Sequence, residues 1–186
     1  MIPLSLDPTF VRVAVAGRGR PALTRLQALR AGGAETAVLY SDDPPTGLPR
    51  DLGAVLRPHL PDAAALAELR LLWISGLPDD TAAGLAAAAR DAGVLVNVED
   101  RPELCDFHNV AEIRRGNLLL TVSTGGRSPG LAARLRAKLG CEFGPEWAER
   151  VEEIGVRRDQ WRRQKRSLRE LSVLTDDVLE AAGWLA

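Results

Sequence analysis

Residues 11–40 read VRVAVAGRGRPALTRLQALRAGGAETAVLY. The apolar run at 11–16 predicts a buried strand. Gly17-Arg18-Gly19-Arg20-Pro21-Ala22 follows as a GxGxxA turn, then a helical run to about Ala31, which Gly32-Gly33 stops. Residues 35–40 form the next strand. This is βαβ order with the glycines at the strand-to-helix turn, the context a dinucleotide fingerprint requires. Gly17 and Gly19 permit a tight turn and close backbone approach to a pyrophosphate. The helix N-terminus then faces the phosphates. Arg18 either lies across a phosphate or is simply solvated. Asp42, with Ser41 beside it, is the acid expected at the end of the second strand. There it would bond a ribose 2′-hydroxyl and favour NAD over NADP. Gly-rich turns also join strands to helices where no nucleotide binds, so the pattern alone leaves both readings open.

Outward from this unit the alternation continues. Residues 44–61 are Pro-rich and polar, with a short strand near 54–56. A helix at 63–69 and a strand at 71–74 follow. The loop Ser75-Gly76-Leu77-Pro78 leads into an Ala-rich helix over 79–92, capped by Asp79 or Asp80 and ended by Gly93. Residues 94–98 are the next strand. Strands alternating with helices predict an α/β fold with a parallel, doubly wound sheet. Ligands bind beyond the carboxyl ends of such strands, where Ser75, Gly76 and Asp100 fall. Glu99 is expected on the opposite side of the strand from Asp100.

After Asp100 the pattern breaks. Residues 110–114 and 118–122, joined by Arg115-Gly116-Asn117, predict a hairpin. The second is apolar on both faces, which suggests a dimer interface. Thr124-Gly125-Gly126-Arg127-Ser128-Pro129 opens a helix over 130–139, with Ser128 as N-cap and Pro129 as first helical residue. The alternative role of this loop is an anion site, in which free amides at Gly125, Gly126 and Ser128, with Arg127, hold a carboxylate or phosphate. From Gly144 onward the chain is helical, with Trp147, Val151, Ile154 and Trp161 at helical spacing. Arg157–Arg166 is a basic cluster, either a solvated face or an attractor of a polyanionic substrate.

Composition bounds the partners. The 186 residues are 46% hydrophobic and carry a net charge of −1, enough for a core and no mark of a nucleic-acid binder. Lys138 and Lys165 are the only lysines; the Arg and Ala excess is attributed to codon bias. No signal peptide and no membrane span is expected. Cys105 and Cys141 form no metal or CxxC pattern, so reduced thiols in a cytoplasmic protein are expected.

Taken together, NVEDRPELCDFH at 97–108 and RRGNLLLTVSTGGRSPGLAARLRAKL at 114–139 resemble the precorrin-2 dehydrogenase and sirohydrochlorin ferrochelatase family, the N-terminal module of siroheme synthases. The resemblance covers nearly the whole chain, weakening at 41–70 and after 165. It implies a Rossmann-like NAD-binding domain (1–112), a dimerisation segment (113–143) and a small C-terminal helical domain (144–186). It also implies a homodimer that oxidises precorrin-2 to sirohydrochlorin with NAD, some members also inserting Fe2+. The family's functional aspartate falls on Asp100, as general base or metal handler; Gly17, Gly19 and Ala22 fall on the nucleotide turn and Ser128 on the Ser-Pro loop. Four positions depart from the family pattern. Arg18 replaces the middle glycine of the turn, Thr24-Arg25 stand for an Arg-Lys pair, Ser75-Gly76-Leu77-Pro78 for Ala-Thr-Asp-Asp, and Val110 for a proline.

The residues themselves leave other roles open. Asp100 could cap the turn before Pro102. His108 is a candidate substrate, metal or proton partner, although a carboxylate with one histidine is thin for iron. Cys105 is expected to pack as a small apolar residue and Asp106 to face solvent or cap locally.

Overall fold

In the computed structural model, which describes residues 2–44 and 55–185, the chain divides into two compact units, residues 1–109 and 110–186. The first unit holds β1 (Val13–Gly17), α1 (Gly19–Ala31), β2 (Val38–Tyr40), β3 (Leu56–Arg57), α2 (Ala63–Glu68), β4 (Leu71–Ser75), α3 (Asp79–Asp91) and β5 (Leu95–Val98). The five strands are all parallel, in the order β3-β2-β1-β4-β5. That is the Rossmann-like α/β sheet expected from the alternation. The expected strand near 54–56 appears at Leu56–Arg57, while residue 54 lies outside the described residues.

Both faces of the sheet are covered, so β1 and β4 are apolar up to their last residues, Gly17 and Ser75, rather than alternating. Ala14, Ala16, Leu72 and Ile74 join Leu66, Ala82, Ala86 and Ala89 on one side. Val15, Leu71 and Trp73 join Ala22, Leu26 and Leu39 on the other. Alanine here fills positions where helix and sheet approach closely, so its abundance has a packing use besides codon bias.

Two expectations shift at element starts. β2 begins at Val38 rather than residue 35, because 34–37 turn first, Ala37 N–H bonding Ala34 C=O at 3.0 Å. Neither Asp79 nor Asp80 caps α3. Pro78 occupies the cap, and both acids sit in the first turn, where they complement the helix dipole.

In the second unit, β6 (Ala111–Arg115) and β7 (Leu118–Val122) form the expected antiparallel hairpin, Arg115 opposite Leu118. Gly116 turns it at φ +55, the geometry a two-residue loop with glycine first demands. The strand takes in Arg115, and a boundary at 112 would cut β6, so the break falls earlier. Three helices follow: α4 (Pro129–Glu142), α5 (Trp147–Arg163) and α6 (Leu168–Ala182). Arg115 donates to the carbonyls of Phe143 (3.0 Å) and Gly140 (3.3 Å) at the end of α4, a cation at the negative end of a helix. α6 opens on a capping box of Ser167 and Glu170. Those hydrogen bonds, with Arg166, pull the Glu170 carboxyl down to about 2. No helix among the described residues is long and apolar enough to cross a membrane.

Gly17 and Gly84 predict opposite responses to alanine. A Cβ on Gly17 would stand 1.9 Å from the Ser75 carbonyl oxygen, whereas one on Gly84, inside α3, meets nothing within 4 Å. Gly17→Ala should cost about 1–3 kcal/mol or more; Gly84→Ala should gain about 0.5–1 kcal/mol. Urea titration of both variants checks the signs.

Candidate dinucleotide and substrate site

The strand order reverses between β1 and β4, which makes their carboxyl ends a topological switch point. Gly17 pairs with Ser75 there. Because a side chain at 17 would strike the Ser75 carbonyl, β1 can end against β4 only as glycine. The Ser75 carbonyl also accepts Arg18 N–H at 3.2 Å. Gly76 closes the other side: at φ +68, its Cβ would come within 2.5 Å of the Arg18 carbonyl oxygen. Gly19 opens α1 at φ +60, where a Cβ would meet only Pro21 Cδ, at 3.8 Å. The first turn of α1 has neither a side-chain cap nor an acid, so its positive end is available to an anion. Ala22 is fully buried beneath it.

Ser41 and Asp42 follow the end of β2 at the same edge. Asp42 receives both arms of Arg18, Nε to Oδ1 at 2.7 Å and Nη2 to Oδ2 at 2.6 Å. The guanidinium holds the Asp42 carboxyl below its ordinary range, and the carboxylate raises Arg18 in turn. Gly19 N–H points at the Asp43 carbonyl, at 3.5 Å. Ser41 Oγ is buried without a partner among the described residues, as is Arg25 Nε. The structure thus gathers Gly17, Arg18, Gly19, Ala22, Ser41, Asp42, Ser75 and Gly76 at one edge. Arg18 is neither free nor lying over an empty turn: it is bound to the acid expected for the ribose. Opposite charges at the ends of adjacent strands were the signal for that pair.

β5 stops at Val98, so strand alternation does not set the direction of Asp100. Asp100 sits exposed in a turn at φ +59, a left-handed conformation that aspartate tolerates better than most residues. A single 3₁₀ turn, Pro102–Leu104, follows. Arg101 fastens it by ion pairs to Asp79 and Glu103. Cys105 does more than pack against the sheet core. Its sulfur lies 3.2 Å from Val98 N and from the carbonyl oxygens of Val98 and Arg101, a clamp beneath the Asp100 turn. Asp106 is exposed, as expected, and it also accepts Val96 N–H at 2.9 Å and pairs with Arg90.

The sequence reading missed the polar chain that anchors this return. Trp73 Nε1 donates to Asn109 Oδ1 (2.9 Å), Asn109 Nδ2 to Asn97 Oδ1 (2.9 Å), and Asn97 Nδ2 to the Phe107 carbonyl (2.8 Å). An asparagine in an otherwise apolar strand was the available signal. His108 is exposed. Among the described residues no group of three His, Cys, Asp or Glu could hold a metal.

The Gly125–Ser128 loop belongs to the second unit. Ser128 caps α4, its Oγ accepting Leu131 N–H at 3.2 Å. The amides expected to be free are mostly used inside the loop. Gly125 donates to Ser123 Oγ, Arg127 to the Thr124 carbonyl and Ser128 to Thr124 Oγ1. Thr124 and Ser123 make the loop self-sufficient, which corrects the expectation of an open amide nest.

The first unit fits a dinucleotide on two observations: the uncapped start of α1 and the orphaned Ser41 hydroxyl. A family described as NAD(P)-binding matches residues 4–111. The siroheme synthase of Methylococcus capsulatus is 37% identical over 142 residues, 74% of this chain and 30% of that protein. The siroheme biosynthesis protein met8 of Schizosaccharomyces pombe is 39% identical over 67 residues, 36% of this chain and 25% of that protein. The chain thus spans under a third of the length of these curated relatives. The solved structure of SirC, a precorrin-2 dehydrogenase, superposes with a TM-score of 0.73 over 100% of this chain and 93% of that one, at 18% identity, a likeness of fold. By its glycine turn and the family match over residues 4–111, the chain belongs to the NAD(P)-binding family, and it is similar to the siroheme synthases over part of their length.

Proposed function

We propose that this protein oxidises precorrin-2 to sirohydrochlorin, with NAD as hydride acceptor, on the way to siroheme. The observation that carries the reading is the placement of Asp100. It stands in a left-handed turn past the carboxyl end of β5, on the edge that holds the glycine turn of β1 and the Ser75-Gly76 loop of β4. The bound nicotinamide would supply the hydride acceptor. The chain's own part is to seat the pyrophosphate at Gly17–Gly19 and the start of α1, and to take up a proton from the macrocycle at Asp100. A carboxylate is the natural acceptor for a reaction that removes a hydride and a proton. Backbone strain at a residue fixed by its neighbours is a recurring feature of catalytic positions; here Cys105 and Arg101 do the fixing.

In the first unit, His108 is the proposed partner of Asp100 toward the substrate; in the second, the Gly125–Ser128 loop spends most of its amides internally and offers the Arg127 side chain instead. Iron insertion is the finer proposal, with Fe2+ as co-substrate and Asp100 and His108 as its handlers.

Three expected outcomes test this reading. Mixing the protein with precorrin-2 and NAD should raise absorbance at 340 nm and yield sirohydrochlorin. Asp100→Asn keeps a residue that accepts φ > 0 and should lower that rate by about 10²–10⁴-fold; an unchanged rate would remove Asp100 from the chemistry. Gly19→Asp, read by calorimetry, should weaken dinucleotide binding by at least about tenfold through crowding and charge, with melting temperature as the control for folding.

A homodimer through the second unit belongs to the same proposal. Leu131 and Leu135 lie one turn apart on α4 and are 50% and 40% exposed, and Val110 is 41% exposed. Sedimentation should give twice the chain mass, and Leu131→Glu with Leu135→Glu should return the monomer. A monomeric wild type would sink the dimer.

A further inference from the structure

We infer that Arg18 sets the choice of dinucleotide and lets this protein accept the 2′-phosphorylated form, NADP, as well as NAD. The inference rests on the placement of the cofactor at the glycine turn. In a βαβ nucleotide unit, the acid at the end of the second strand excludes NADP, because its charge repels the 2′-phosphate, while a nearby arginine accommodates that phosphate. Asp42 holds the acid's place, and Arg18 already covers it with a two-pronged ion pair. The charge that would reject a phosphate is cancelled at its source.

The pair can also open. Its side chains are 32% and 39% exposed, and ion pairs at such exposure are weakly held. A guanidinium fits a phosphate with the same planar fork that it offers a carboxylate. Arg18 can therefore exchange Asp42 for the 2′-phosphate without moving its backbone, which the Ser75 carbonyl and Gly76 hold in place. Asp43 is the opposing charge, near enough to act on the same guanidinium. When NAD binds instead, Asp42 keeps lone pairs for a ribose hydroxyl while still paired, so NAD is retained.

The test is calorimetric titration of the whole protein with NAD and with NADP at low salt, for the wild type, Arg18→Ala and Asp42→Asn. The wild type should bind the two within about tenfold of each other. Arg18→Ala uncovers Asp42 and should lower the affinity for NADP relative to NAD by at least about tenfold. Asp42→Asn frees the guanidinium and should tighten NADP. Rejection of NADP by the wild type of more than about a hundredfold, or an unchanged NADP-to-NAD ratio in Arg18→Ala, would overturn the inference and leave the cofactor placement standing. Failure of the wild type to bind either dinucleotide would overturn both.

Discussion

Much of the first unit depends on one close approach, the end of β1 against the Ser75 carbonyl at the end of β4. Glycine at 17 is the condition for it, since any side chain there would collide with main chain. Once the two strands meet this closely, Arg18 N–H completes the contact and α1 starts directly above the point where the strand order reverses. Ala22 then seats the helix on the sheet with no space to spare. An uncapped helix start at a switch point is the feature that makes an anion site from ordinary backbone. The chemistry proposed for this protein grows from that packing constraint.

The parallel sheet was legible because its signals are local: apolar strand runs, glycines at turns, helices between them. The gathered residues at 17–22, 41–42 and 75–76 were legible because strand ends in such a sheet must share an edge. What escaped was tertiary. The pairing of Arg18 with Asp42 needs β1 and β2 side by side, and the chain from Trp73 through Asn109 to Asn97 joins residues far apart in sequence. The Asp100 conformation was hidden for another reason. A strand pattern says where a strand runs and not where it stops, and β5 stops two residues early for an alternation argument to apply. The amides of 125–128 were misjudged because serine and threonine hydroxyls compete for them locally.

Charge and strain are distributed unevenly between the two ends of the candidate site. On the nucleotide side, Arg18 and Asp42 cancel each other, so the field there is set by which partner the guanidinium holds. On the substrate side, Asp100 is left without an ion pair to another described residue, while Arg101 beside it is taken up by two carboxylates, Asp79 and Glu103. The turn is thus stiffened by ion pairs that leave its central carboxylate exposed.

The two units also differ in how much they hide from water. The first has apolar cores on both faces of its sheet. In the second, Ile113, Ala132, Trp147 and Leu171 are the buried apolar residues among those described. Local opening costs least where little apolar surface is returned to water. The backbone amides of β1 and β4 therefore exchange with solvent only when the whole sheet gives way. Those of the β6–β7 hairpin report a smaller and more frequent opening, so one chain carries two clocks of hydrogen exchange.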